Sequence, residues 1–227
     1  MLLKGLNKLT LQDFPDRVAC ILFTGGCDFR CPFCQNAALV TEFDDGHVDT
    51  EEFFSYLNSR KGMLDGVVLT GGEPLLQPDV VDFIKRIKGA GYAVKLDTNG
   101  YHPDKLERLY SEKLLDYVAM DIKNSPEKYA LTAGLNAVDM SRVAAGKDLI
   151  MNSGVDYEFR TTVVKEFHEA EDFEGIGQFI RGAERYFLQR FRDEGGNIAE
   201  GLHAPGTDEL SHYAEIMKKY VKNVLIR

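Results

Sequence analysis

The sequence has no tryptophan and only seven prolines in 227 residues. Few prolines leave long stretches free to form regular helices and strands. No run reaches the roughly 18–20 apolar residues a membrane helix needs, so no membrane partner is expected. The opening MLLKGLNKLTLQDFPD is too polar for a secretory leader and carries no small-residue cleavage site, which points to the cytoplasm. Basic residues are in deficit: 27 Lys and Arg against 36 Asp and Glu give a net charge of −9. A general nucleic-acid binder would show a basic stripe, so nucleic acid is not an expected partner. Proline- or serine-rich linkers and low-complexity tracts are also missing. The expectation is a single domain over residues 1–227, large enough to bury a core.

Cysteine is scarce too, but its placement is not random. Of four cysteines, Cys27, Cys31 and Cys34 fall within eight residues, spaced C-x3-C-x2-C. In a long chain with no export signal, clustered thiols point to metal ligation rather than disulfides. Three thiolates on a short loop can hold three corners of a [4Fe–4S] cube and leave the fourth iron open. An open position is what a reactive metal centre needs, whereas structural sites are closed. A closed zinc site would want a fourth ligand. Cys20 lies inside the apolar run VACILF, where a small buried thiol is ordinary, and His47 has no second ligand beside it. A non-enzymatic zinc module would be colourless and zinc-containing.

Hydrophobic patterning gives the frame. Strand-length apolar runs alternate with stretches of helical period. Strands are expected at Val18–Phe23, Gly66–Thr70, Tyr92–Asp97, Tyr117–Asp121, Tyr157–Val163 and Arg185–Gln189, with a short terminal one at Val224–Ile226. Helices are expected near Glu51–Lys61, with Asp49 and Glu52 spaced as a capping box, near Asp79–Ala90, from Pro103, near Val138–Asn152, near Ala170–Arg181 and near Asp208–Tyr220. Ser125-Pro126 reads as an N-cap followed by proline at the first helical position. Roughly six βα units in series imply a parallel sheet with right-handed crossovers. The expected fold is α/β, a partial (β/α)6 barrel left laterally open, with an open doubly wound sheet as the alternative.

In such folds ligands sit at the carboxyl ends of the strands. There the sequence places Thr24-Gly25-Gly26-Cys27, Thr70-Gly71-Gly72-Glu73, Asp97-Thr98-Asn99-Gly100, and Asp121 with Lys123. Four consecutive strands thus aim polar groups at one rim.

The segment GGCDFRCPFCQN resembles the cluster motif of the radical S-adenosylmethionine superfamily, in which an aromatic residue, here Phe33, commonly precedes the third cysteine. TGGEPLL at Thr70–Leu76 resembles the superfamily's Gly-Gly-Glu run. The resemblance implies the laterally open barrel, a [4Fe–4S] cluster on Cys27, Cys31 and Cys34, and S-adenosylmethionine chelated to the open iron. Gly71, Gly72 and Glu73 would receive the methionyl amino group. LDTNG at Leu96–Gly100 and MDIK at Met120–Lys123 resemble the glycyl-radical-enzyme activases. There the matching aspartates, Asp97 and Asp121, help hold a monovalent cation, and Lys123 meets the cofactor carboxylate. Thr98 and Arg160 are further candidate cofactor contacts. Gln189 stands where pyruvate formate-lyase activases carry a histidine.

Across the whole chain the character is similar to activators of anaerobic ribonucleoside-triphosphate reductase. The implied reaction is reductive cleavage of S-adenosylmethionine to a 5′-deoxyadenosyl radical, which then takes a hydrogen atom from a backbone glycine of the partner enzyme. A flavodoxin or ferredoxin would supply the electron. Only one cluster can be built from these cysteines, and the barrel accounts for nearly all 227 residues, which favours a protein loop as substrate. Alternatives are a pyruvate formate-lyase-type activase and a small-molecule enzyme of the 7-carboxy-7-deazaguanine synthase kind.

Overall fold

A computed structural model describes residues 1–41 and 48–227; His47 therefore lies outside the described residues. Eight strands form one sheet in sequence order: β1 (Leu3–Thr10), β2 (Ala19–Thr24), β3 (Gly66–Gly71), β4 (Ala93–Thr98), β5 (Tyr117–Asp121), β6 (Asp156–Val163), β7 (Arg185–Arg190) and β8 (Asn223–Ile226). Strands β2 to β8 run parallel, each to the next. Strand β1 pairs antiparallel with β2, and the sheet does not close, since β1 and β8 are its two edges. The laterally open α/β architecture is thus present. The addition is β1, whose polar alternation LKGLNKLT gave no strand signal.

The helices follow the expected order. They are α1 (Ala37–Thr41), α2 (Thr50–Ser59), α3 (Val80–Gly89), α4 (Pro103–Ser111), α5 (Tyr129–Ala133), α6 (Met140–Asn152), α7 (Ala170–Phe179) and α8 (Thr207–Met217). Asp49 caps α2 by accepting from the Glu51 and Glu52 N–H groups at 2.8 and 2.9 Å. One expectation fails. Ser125-Pro126 opens a turn closed by the Lys128 N–H on the Ser125 carbonyl, and α5 begins only at Tyr129. The Ser125 backbone N–H is taken by the Asn124 side chain at 2.7 Å and its hydroxyl faces Asp172, so Ser125 is held to its neighbours instead of capping a helix.

Period-two alternation sorts the strands into two faces. On β4, Val94 and Leu96 are fully buried against the helical layer, with Leu22, Leu69, Val118, Phe159 and Leu188 from neighbouring strands. Lys95 and Asp97 point the other way, into the concave side. There Phe14, Ala19, Ile21, Val68, Ala93 and Tyr117 form a small apolar cluster over β2–β5, while Lys95, Asp97, Glu158 and Arg160 form a charged band. Glu158 is satisfied by the Tyr117 hydroxyl at 2.9 Å and by Arg227. Burying such charge is tolerable only because each group is partnered.

Candidate active site

The carboxyl ends of β2 to β5 surround a cavity of about 310 Å³. Its lining includes Cys27, Cys31, Phe33, Cys34, Gly71, Gly72, Glu73, Asp97, Thr98, Asp121, Lys123, Arg160 and Gln189. The fold therefore brings together every candidate residue that the sequence nominated.

The cysteine loop is held from several sides. The Arg30 N–H donates to the Ala133 carbonyl and the Ala199 N–H to the Pro32 carbonyl, both at 2.8 Å. Phe29 packs between Tyr101 and Tyr129, and Asp28 meets His102 Nε2 at 2.7 Å. Phe33 is buried against Phe167 and His168. Close approach of two backbones fixes the loop's start: the Gly72 N–H donates to the Thr24 carbonyl and the Glu73 N–H to the Gly26 carbonyl, at 2.9 and 2.8 Å. A Cβ on Gly72 would lie 1.9 Å from the Gly26 carbonyl oxygen, so only glycine fits there.

Burial pushes the Cys27 thiol up to about 12, with the Glu73 charge adding to it. The Cys31 and Cys34 thiols are raised by burial as well. Without metal these are protonated thiols, and metal uptake must release their protons. Among the described residues, no three His, Cys, Asp or Glu side chains close on a single metal-ion position, although the three thiols share one cavity. Three thiolates are the donor set that iron–sulfur clusters take. Cys20 is fully buried in β2 and belongs to the core.

Glu73 ties two loops together. One carboxylate oxygen accepts from the Leu75 N–H and the Thr98 hydroxyl, at 2.9 and 2.7 Å; the other accepts from the Asn99 N–H at 2.7 Å. Burial raises its pKa to about 7 even so. Thr98, a candidate cofactor contact, gives its hydroxyl proton to Glu73 and accepts the Gly100 N–H, so it braces the wall here. The Gly71 carbonyl accepts from the Asn36 side chain at 3.2 Å.

Farther round the rim, a row of alternating charges crosses three strands. Lys95 Nζ lies 2.7 Å from Asp97 Oδ1, and Arg160 lies 3.1 Å from Asp97 Oδ2. Arg160 Nε also lies 2.8 Å from Asp121 Oδ1, and Lys123 Nζ lies 3.1 Å from Asp121 Oδ2. Burial works against both carboxylates. The charge of Arg160, with Lys95 on one side and Lys123 on the other, outweighs it and holds both below the usual range. The two aspartates expected to share a monovalent cation have each oxygen matched to a side-chain nitrogen, and Arg160 spends its guanidinium on this bridge. Three cations against two anions leave the row net positive, which suits it to a carboxylate ligand.

Several site residues gave no sequence signal of their own. Asn36 and Asn99 lie within the quoted motifs but carried no assigned role. Thr162, the register partner of Gln189, also lines the cavity. His168 is buried; its Nε2 donates to the Lys123 carbonyl at 3.0 Å while Nδ1 accepts the Val164 N–H at 3.2 Å. With burial lowering its pKa, these contacts suit the neutral ring protonated on Nε2, beside Lys123 and Phe33. Its position after β6 carries no recognisable spacing.

Residues 21–177 match the model of the radical SAM superfamily. The chain belongs to that superfamily. It is accordingly an enzyme that works with a [4Fe–4S] cluster and S-adenosylmethionine. Its sequence is 33% identical to a Methanocaldococcus jannaschii protein provisionally named a glycyl-radical enzyme activating enzyme, over all of this chain and 95% of that one. It is 31% identical to the pyruvate formate-lyase-activating enzyme of Clostridium pasteurianum, over 53% of this chain and 51% of that one. The fold is similar to that of Streptococcus suis SuiB bound to S-adenosylmethionine, with a TM-score of 0.69, 14% identity and coverage of 89% of this chain and 48% of that one. This radical SAM chain thus spans about half the length of SuiB. It also resembles QueE from Escherichia coli, with a TM-score of 0.59 and 15% identity, covering all of this chain and 93% of that one.

Proposed function

We propose that this radical SAM enzyme is a glycyl-radical-enzyme activase whose partner is anaerobic ribonucleoside-triphosphate reductase. The observation that carries the reading is whole-length similarity to an activating enzyme, joined to a thiol-lined cavity in a sheet that is open at the side. An opening between β1 and β8 gives a partner's backbone loop a way in. In this reading the protein acts in the cytoplasm as one domain over 1–227, with a flavodoxin or ferredoxin as electron donor.

When bound, the cluster and S-adenosylmethionine supply a 5′-deoxyadenosyl radical able to remove a hydrogen atom. The chain's own residues bind and orient. Cys27, Cys31 and Cys34 hold the metal as thiolates. Glu73 would receive the cofactor's amino group, and an ammonium beside it would favour its ionised form. Lys123, kept charged by Asp121 despite burial, would meet the cofactor's carboxylate, with Arg160 on the far side of Asp121. Ile21, Phe23, Phe33 and Val68 line the cavity with apolar surface and limit water around a reactive species.

The decisive experiment mixes anaerobically reconstituted protein, S-adenosylmethionine and a one-electron reductant with candidate partners. The expected result is a glycyl-radical spin signal on the ribonucleotide reductase. A signal only on pyruvate formate-lyase would reassign the partner. A second reading, a small-molecule enzyme of the 7-carboxy-7-deazaguanine synthase kind, is favoured by 36% identity to the Halobacterium salinarum synthase over 34% of this chain and 30% of that one. It predicts conversion of a purine-like heterocycle and no radical on either partner.

A further inference from the structure

We propose that Asn99 is a positioning residue that donates its side-chain N–H to the Cys27 sulfur and raises the reduction potential of the cluster that Cys27 holds. The proposal rests on the reading of Cys27 as a cluster ligand.

Two hydrogen bonds and burial fix Asn99. Its backbone N–H donates to Glu73 at 2.7 Å. Its Oδ1 accepts the Tyr101 N–H at 2.9 Å. The side chain is nearly buried, at 5% exposure. An amide has one oxygen and one NH2; since the Tyr101 N–H demands the oxygen, the NH2 must face the other way. There it meets Cys27 Sγ at 3.9 Å. The amide is therefore locked in the donor orientation before any metal arrives. Cys27 also accepts the Phe29 N–H at 3.4 Å, so its sulfur receives two donors from two different loops.

A donor on a cluster sulfur withdraws charge from it. Reduction adds negative charge, so the contact strengthens on reduction, and the potential rises; hydrogen bonds to sulfur are among the main determinants of iron–sulfur potentials. Because Asn99 is buried, such a contact is screened less than it would be in water. Glu73, a carboxylate in the same cavity as Cys27, works in the opposite sense when ionised, and Asn99 stands between the two. The role concerns how readily the cluster accepts the donor's electron, and it requires no contact between Asn99 and the partner protein.

The test is a spin-resonance redox titration of anaerobically reconstituted full-length protein without S-adenosylmethionine, comparing wild type with Asn99→Asp and Asn99→Ala. The aspartate variant is isosteric and keeps an acceptor for the Tyr101 N–H, so it preserves the loop while removing the donor. Expected is full iron content in Asn99→Asp and an at least tenfold shift of the one-electron equilibrium toward the oxidised cluster, about 59 mV. Asn99→Ala should shift the same way and by less, since it adds no charge. Unchanged potentials at full iron content would overturn the proposal. So would loss of iron from both variants, which would make Asn99 a structural brace. If wild type itself takes up no iron, the cluster reading fails first, and that outcome is distinct.

Discussion

Arg160 Nε lies 2.8 Å from Asp121 Oδ1, and the same guanidinium reaches Asp97 on the next strand but one at 3.1 Å. One β6 side chain thus neutralises the carboxyl ends of β4 and β5. Both aspartates ionise readily in spite of burial because of it.

Removing that cation leaves two buried carboxylates with one lysine each. Arg160→Met should destabilise the protein by about 3–5 kcal/mol, the range for breaking a buried ion pair by deleting one partner. Urea unfolding at neutral pH measures it. A loss below about 1 kcal/mol would mean the bridge is dispensable.

The two kinds of cysteine should separate cleanly. Cys34→Ala should lower iron content and abolish S-adenosylmethionine cleavage. Cys20→Ala should keep both and cost only about 1 kcal/mol for a small core vacancy. Iron analysis with product assay decides it; loss of iron in Cys20→Ala would move that residue out of the core role. Because burial lifts the Cys20 thiol to about 12, it should also resist alkylation at neutral pH.

Gly72→Ala places a methyl 1.9 Å from the Gly26 carbonyl oxygen, a backbone atom that can move only with its loop. The expected cost is about 1–3 kcal/mol, with weaker iron retention because the loop that carries Cys27 must shift. Thermal unfolding and iron content measured together test both halves. A variant as stable as wild type that keeps its iron would contradict the close approach.

His168 gives a pH dependence. Burial depresses its pKa below the usual 6.5, so on acidification the unfolded chain gains a proton before the native protein does. Stability is therefore constant above about pH 6.5 with respect to this group and falls below it, with a slope approaching 1.4 kcal/mol per pH unit. Denaturant titrations from pH 8 to 5 should show this slope in wild type. Its loss in His168→Phe would assign it to this group, and a parallel slope in both proteins would acquit His168.

By itself the sequence determined what depends on neighbours along the chain. Period-two and helical patterns set β2 to β8 and helices α2, α3, α4, α6, α7 and α8 to within a few residues, while α1 carried no such signal. Thiol spacing set the metal-binding loop, and the glycine runs marked the turns at strand ends. It could not show β1, because an edge strand with one exposed face and a polar composition carries little apolar alternation. Ser125 misled for a related reason: a serine before proline signals a helix start, but its hydroxyl turns to Asp172, distant in sequence. What the chain order cannot express is which side chain answers which. Only the tertiary structure decided that Arg160 satisfies Asp97 and Asp121, that Thr98 serves Glu73, and that the Asn99 amide faces Cys27. Those pairings join residues tens of positions apart. They exist because burial at one strand-end rim forces every polar atom there to find a partner.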